Sequence, residues 1–211
     1  MILEDYYWYF KSAIPENVCD QIIAHAKDKP VHDALVGNEG QKAELVHSAK
    51  KRQSNISWLN DPWIKFQVDP YVQAANEASG WNFKYDATEL IQFTKYGPKQ
   101  YYDWHCDSWP APYNKPNEPL LNKKIRKLSV SVLLSDPKDF KGGEFEFDFR
   151  NHDPKDKENK QVAKELNKKG SMIVFPSFIW HRVKPVTKGV RYSLVLWYLG
   201  HTIFLMYLRH K

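Results

Sequence analysis

Lys169-Gly170-Ser171-Met172-Ile173-Val174-Phe175-Pro176-Ser177-Phe178-Ile179-Trp180-His181-Arg182-Val183, followed by Gly189-Val190-Arg191-Tyr192-Ser193-Leu194-Val195-Leu196-Trp197-Tyr198, reads as β-structure. Gly170, Pro176, Pro185 and Gly189 divide these residues into three β-rich runs. His181 opens the middle run and Arg191 opens the last, so neighbouring strands would bring an imidazole and a guanidinium to one barrel mouth. Arg191 and Ser193 have the period-two spacing that points both side chains to one face of a strand. A planar fork of donors beside a hydroxyl suits a carboxylate partner better than a lysine would.

Upstream, Tyr101-Tyr102-Asp103-Trp104-His105-Cys106-Asp107 carries the second informative pattern. Residues i and i+2 of an extended strand share a face, which points His105 and Asp107 together and Cys106 away. With a third ligand from a distant strand they would form two histidines and one carboxylate on one side of a metal, a set that leaves coordination positions open. His-x-Asp is short, and a chain with 8 histidines can contain it by accident. The C-terminal context is what raises it above chance.

In order along the chain, Tyr96-Gly97-Pro98, His105-Cys106-Asp107, Leu133-Leu134-Ser135-Asp136-Pro137, Gly142-Gly143-Glu144, Phe175-Pro176-Ser177, and His181 with Arg191 resemble prolyl 4-hydroxylase-type 2-oxoglutarate and Fe(II)-dependent dioxygenases. The resemblance runs from about Thr88 to Tyr198 and is carried by the ordered set. It implies an all-β core with flanking helices, built as a double-stranded β-helix of the jelly-roll or cupin-like kind. It further implies that His105, Asp107 and His181 bind iron and serve catalysis, that Arg191 pairs with the distal carboxylate of 2-oxoglutarate, and that Ser193 and Tyr96 add hydrogen bonds to this cosubstrate. Leu133 departs from the pattern, standing where some relatives carry a cosubstrate-binding tyrosine. Fe(II), 2-oxoglutarate and O2 would be required, with ascorbate as an optional addition. The implied reaction hydroxylates a C–H bond, with a prolyl residue of a protein or peptide as substrate and succinate and CO2 as coproducts. Related halogenases replace the metal-binding carboxylate, so the presence of Asp107 favours hydroxylation.

Length and composition bound the rest. The chain has 211 residues, 42% hydrophobic and 15% aromatic, which suits a packed globule rather than disorder. One domain is expected, with residues 1–87 a helical support region, 88–200 the β-helix core and 201–211 a C-terminal segment. Two cysteines, Cys19 and Cys106, are too few for a disulfide framework. Met1 to Phe10 lacks a secretory pattern, and the apolar run His201 to Leu208 is too short to span a bilayer. A soluble, intracellular, cytoplasmic protein without membrane association is the expectation. The net charge of +6 is concentrated around Lys123-Lys124-Ile125-Arg126-Lys127, read mostly as solvated surface. No nucleic-acid-binding signature is evident.

Along the chain, Pro15 to Ala26 reads as a helix with an apolar stripe of Val18, Ile22 and Ile23. A second helical region is expected over Asp61 to Ser79, capped by Asp61, stopped by Gly80 and broken at Pro70. Both would cover the outer face of one barrel sheet. Pro30 to Ser57 reads as irregular, and Trp81 to Tyr96 as strands entering the barrel. The proline-rich residues 108–122 suit a lid or substrate loop in which Trp109 and Tyr113 stack on a prolyl ring. Lys127 to Leu134 and Gly143 to Phe149 alternate as barrel walls. Arg150 to Lys169 is a charged insertion or short helix, and His25 and His152 are not ligands.

Two other readings stand beside this one. The chain could hydroxylate another side chain or a small molecule, or demethylate a nucleic acid. It could also be a non-catalytic β-sandwich binding module that neither binds Fe(II) nor 2-oxoglutarate.

Overall fold

The computed structural model describes residues 6–34, 51–108, 111–150 and 157–202. Two antiparallel sheets dominate them. The larger runs in the order β1 (Trp8–Phe10), β12 (Met172–Pro176), β8 (Lys124–Leu133), β15 (Arg191–His201), β6 (Ile91–Tyr96), β4 (Asn55–Leu59) and β2 (His32–Asp33), with β5 (Ala87–Thr88) also paired to β15. The smaller has the order β11 (Lys160–Val162), β10 (Phe145–Asp148), β13 (Trp180–Val183), β7 (Tyr101–His105) and β3 (Arg52–Gln53). A short ribbon of β9 (Phe140–Gly142) and β14 (Val186–Gly189) completes the described strands.

Period-two alternation sorts each central strand between two environments. Leu128, Val130 and Val132 of β8 and Leu194, Leu196 and Tyr198 of β15 join an apolar cluster with helix α1 (Glu16–Lys27), through Cys19, Ile22 and Ala26. Helices α2 (Pro62–Phe66) and α3 (Asp69–Ala78) add Ile64, Val72 and Ala75 to it. The intervening positions, Ser131 of β8 and Ser193, Val195 and Trp197 of β15, face the space between the sheets. There Phe145, Phe147, Ile173, Phe175 and Val183 form a second apolar cluster, with the Phe145 and Phe175 rings 5.8 Å apart. Helices thus cover one face of the larger sheet, and its other face meets the smaller sheet.

The expected helices form with refinements. Asp61 to Ser79 is two helices, broken before Pro70, whose missing N–H costs nothing in the first turn of α3. Asp61 makes no side-chain cap bond; its Oδ1 lies 3.0 Å from His25 Nε2. The reading of Pro30 to Ser57 as irregular is corrected where it is described: β2, β3 and the start of β4 lie there, β2 and β3 being two-residue edge strands too short to show a pattern, and β4 lying between β2 and β6. Trp81 to Asp86 is not strand, although Trp81, Phe83 and Tyr85 pack on the core. Lys157–Asn159 is a short 3-10 turn before β11. His152 and residues 203–208 lie outside the described residues.

Gly189 shows how tightly the ribbon is drawn against β15. Its φ is +75°, and a Cβ there would stand 1.9 Å from the Asp139 carbonyl oxygen, so only glycine allows the turn that launches Arg191.

Candidate metal centre

β13 pairs with β7 so that His181 stands opposite His105. Asp107 lies beyond the end of β7, and strand geometry alone does not aim it. The Ser177 carbonyl does so, accepting from the Asp107 N–H at 2.8 Å and the Ser108 N–H at 2.9 Å. Asp107 therefore returns toward the histidines even though its strand has ended. One ligand atom from each of His105, Asp107 and His181 lies within 4.8 Å of the others, and all three residues are buried.

Backbone carbonyls fix both imidazoles. His105 Nδ1 is 2.8 Å from the Asp103 oxygen and His181 Nδ1 is 2.9 Å from the Ile179 oxygen. A carbonyl only accepts, so each Nδ1 carries the proton and each Nε2 presents a lone pair inward. These Nε2 atoms stand 3.8 and 3.6 Å from the Asp107 oxygens, too far for hydrogen bonds, and Asp107 Oδ2 has no hydrogen-bond partner. Three acceptors thus converge in a buried place, an arrangement that a cation relieves.

The local field keeps these groups in their ligating forms. Burial, reinforced by the facing imidazole, holds His105 well below the ordinary imidazole value, and burial lowers His181. Burial alone would raise the Asp107 carboxyl, but the imidazoles, Arg126 and the Trp197 indole hold it at about 2. A pH dependence follows. Above about pH 6.5 the imidazoles are neutral in the folded and unfolded chain alike; below it the unfolded chain takes up protons that the folded one refuses. Metal-free protein is therefore expected to lose stability on acidification below about pH 6.5, by up to about 1.4 kcal/mol per pH unit for each imidazole. Urea unfolding at several pH values would check this; an equal loss in the His105→Gln/His181→Gln double variant would contradict it.

The cavity around the triad is lined in part by Tyr96, Ser193, Gln92, Ser131, Trp197 and Phe145. Tyr96 and Ser193 thus border the same cavity as the triad. Arg191 borders a neighbouring cavity with Gly142, Gly143 and Phe145, and its guanidinium lies 5.8 Å from the Tyr96 ring centroid. Arg191 is only 2% exposed, yet Nη1 has no hydrogen-bond partner, and burial lowers its pKa. Leu133 is buried and paired to Ser193 across β8 and β15. Tyr113 is not among the residues lining the triad's cavity; its hydroxyl donates to Glu89 Oε1 at 2.8 Å. Trp109 lies outside the described residues.

Three participants escaped the sequence reading. Arg126, taken there as part of a solvated basic run, is half-buried, its Nε and Nη2 donating to Glu89 at 2.7 and 2.5 Å, and its Nη1 standing 4.0 Å from Asp107 Oδ1. Lys124 of the same run is buried and bound to Asp86 at 2.8 Å. Both lie in β8, where a register shift against β15 between Leu128 and Arg126 breaks the alternation that would otherwise place Arg126 with Leu128 and Val130, so no local signal marked it. Arg52 is also buried, lines the cavity, lies over Tyr102 at 4.5 Å and has an unpartnered Nη2. Tyr102 in turn stacks on His105, centroids 3.4 Å apart.

Comparison with known proteins matches residues 91–199 to the model of the 2OG-Fe(II) oxygenase superfamily. The chain belongs to the 2OG-Fe(II) oxygenase superfamily. The matched region contains the whole triad and Arg191. Among curated relatives, a PKHD-type hydroxylase of Synechococcus sp. (strain JA-2-3B'a(2-13)) is 36% identical over 70 residues, 33% of this chain and 27% of that protein. One from Sphingopyxis alaskensis is 36% identical over 99 residues, 46% of this chain and 38% of that protein. The matches thus span well under half the length of these relatives. Of solved structures, a viral collagen prolyl hydroxylase from Paramecium Bursaria Chlorella virus-1, in a 2OG complex, superposes with a TM-score of 0.63 at 20% identity, covering 92% of this chain and 96% of that one. A Pseudomonas putida prolyl-4-hydroxylase gives 0.61 at 17% identity, covering 93% of each chain. The fold of this oxygenase chain is accordingly the double-stranded β-helix. No described helix is long and apolar enough to cross a membrane.

Proposed function

We propose that this chain is an Fe(II)- and 2-oxoglutarate-dependent hydroxylase acting on a prolyl residue of a protein or peptide. The observation that carries the metal assignment is the convergence of one ligand atom each from His105, His181 and Asp107, all within 4.8 Å of one another and buried. Two neutral imidazoles and one carboxylate suit ferrous iron and leave room for further ligands. The buried, unpartnered Nη1 of Arg191 supports a carboxylate site beyond Tyr96 and Ser193, where a dicarboxylate would exchange a charged, unsatisfied donor for a paired one. When bound, iron and 2-oxoglutarate supply the oxidation of a C–H bond by O2, with succinate and CO2 as coproducts.

The residues of this chain position and protect that chemistry. His105 and His181 are held in one tautomer by backbone carbonyls, and Asp107 is held by the Ser177 carbonyl and faced by Arg126. Phe145, Phe175, Val183 and Trp197 line an apolar wall that excludes water from the oxidising centre. The prolyl substrate is supported by the curated PKHD-type relatives and by the names of the superposed prolyl hydroxylases.

The test incubates the protein with Fe(II), 2-oxoglutarate, ascorbate and proline-containing peptides, and follows succinate together with peptide mass. Addition of one oxygen atom to proline is expected. Succinate without a modified peptide would keep the oxygenase chemistry and discard this substrate; no Fe(II)-dependent succinate would discard both.

A further inference from the structure

The cross-strand register of the larger sheet extends the metal cavity toward solvent. Residues directly opposite in antiparallel strands share a face. Ser131 of β8 stands opposite Val195 of β15, Val195 opposite Gln92 of β6, and Gln92 opposite Trp58 of β4. The first three line the cavity around the triad. Trp58 is the fourth member of that row, and it is 40% exposed whereas its neighbours Ser57 and Leu59 are buried. Its ring lies 6.4 Å from that of Trp197, tilted by 46°, within the range of interacting aromatic pairs. Trp197 is itself a cavity wall and carries the Arg126 guanidinium 3.8 Å from its ring centroid.

We infer that Trp58 is a substrate-binding residue, an indole at the cavity mouth that packs the ring of a proline in an extended peptide whose target residue enters toward the triad. This rests on the hydroxylase reading above and names the part of the chain that recognises the substrate. An indole is the largest apolar surface a side chain can offer, and leaving it partly in water on a strand whose Ile56, Ser57 and Leu59 are buried forgoes burial that binding recovers. Proline suits it because the ring is compact and apolar, the residue has no amide hydrogen to leave unpaired, and extended proline-rich chains dock on aromatic surfaces with little loss of conformational freedom. Gln92, between Trp58 and the cavity, donates to Thr94 Oγ1 at 2.8 Å and so holds the floor of the path fixed. A wholly buried core tryptophan would show neither the exposure nor the place at the end of a cavity-lining row.

The experiment uses the full chain loaded with Mn(II) and 2-oxoglutarate in the absence of O2, and titrates it with a fluorescent peptide of alternating proline and alanine and with a glycine-alanine control. Wild type is expected to prefer the proline peptide. Trp58→Ala should weaken that peptide about tenfold, and Trp58→Phe should recover most of the loss. Mn(II) and 2-oxoglutarate affinities should stay within about twofold in both variants, a readout that a merely structural role would move. Unchanged peptide affinity in Trp58→Ala, with wild type still selecting proline, overturns the inference alone. A wild-type protein that binds metal and cosubstrate but does not distinguish the two peptides overturns the prolyl substrate and this assignment with it.

Discussion

Asp107→Asn is expected to abolish turnover and metal binding and to leave the metal-free protein less stable than wild type at neutral pH. The carboxylate serves the fold as well as the metal, because its surroundings hold its pKa at about 2, below that of an exposed aspartate, so folding favours the charged form. In the metal-free chain its carboxylate is buried, faces two imidazole lone pairs at 3.6 and 3.8 Å, and leaves Oδ2 without a hydrogen bond. The neutral amide gives up that preference and the attraction to Arg126, and its one nitrogen stands in for only one oxygen, at separations from the imidazoles too long for hydrogen bonds. It also lacks the negative charge with which the carboxylate attracts a divalent cation. Thermal unfolding with and without Mn(II) separates the effects. Wild type in Mn(II) at about a hundred times its dissociation constant should gain roughly 5 to 10 °C, and Asp107→Asn should gain nothing. Retention of the metal-dependent shift in the variant would sink the assignment of the triad. A metal-free variant melting at or above wild type would show instead that the buried carboxylate burdens the fold despite the nearby Arg126.

Arg191→Met should disable the other end of the site without weakening the metal-free fold. Methionine keeps an apolar stem of similar reach while removing a guanidinium that is 2% exposed and not fully paired. Truncating one partner of a buried, hydrogen-bonded charge pair costs about 2–5 kcal/mol in binding, so the KM for 2-oxoglutarate should rise by roughly thirtyfold or more. Mn(II) affinity without cosubstrate should hardly change, because Arg191 does not face the ligand triad; stability without cosubstrate should hold or increase. Steady-state kinetics over a wide 2-oxoglutarate range, with Mn(II) binding measured separately, tests both halves. A KM within about twofold of wild type would remove Arg191 from the cosubstrate site. Arg191→Lys is informative beside it: one donor replaces a fork, and an intermediate KM is expected.

The legibility of the site varied from residue to residue for physical reasons. His105 and His181 lie on strands whose pattern could be read, and opposite each other in the register. Asp107 was legible by type but not by cause, since the strand ends before it and a carbonyl from the turn after β12 brings it round. Ser193 was read from its period-two spacing with Arg191, and Tyr96 from the family resemblance alone. Arg126 was misread because a lysine-rich run has the composition of a surface; only its pairing with Glu89, distant in sequence, withdraws it from water. Tyr113 shows the converse. A proline-rich loop beside two ligands suggested a substrate contact, but its hydroxyl goes to the same Glu89.

What the amino-acid order determined unaided is local: which residues alternate, where glycine and proline interrupt, and which side chains carry imidazole, carboxylate and guanidinium. Those are properties of the chain's own backbone and chemistry, and they suffice for strands, helices and the candidate ligands. What only the tertiary structure decided is which donors and acceptors remain without partners after folding, as at Asp107 Oδ2 and Arg191 Nη1, and which cation is buried rather than solvated. Those depend on contacts between segments far apart in sequence, and solvation is lost only when a second strand arrives. The row that carries the cavity from Ser131 out to Trp58 is of that kind, because it is written across four strands and along none of them.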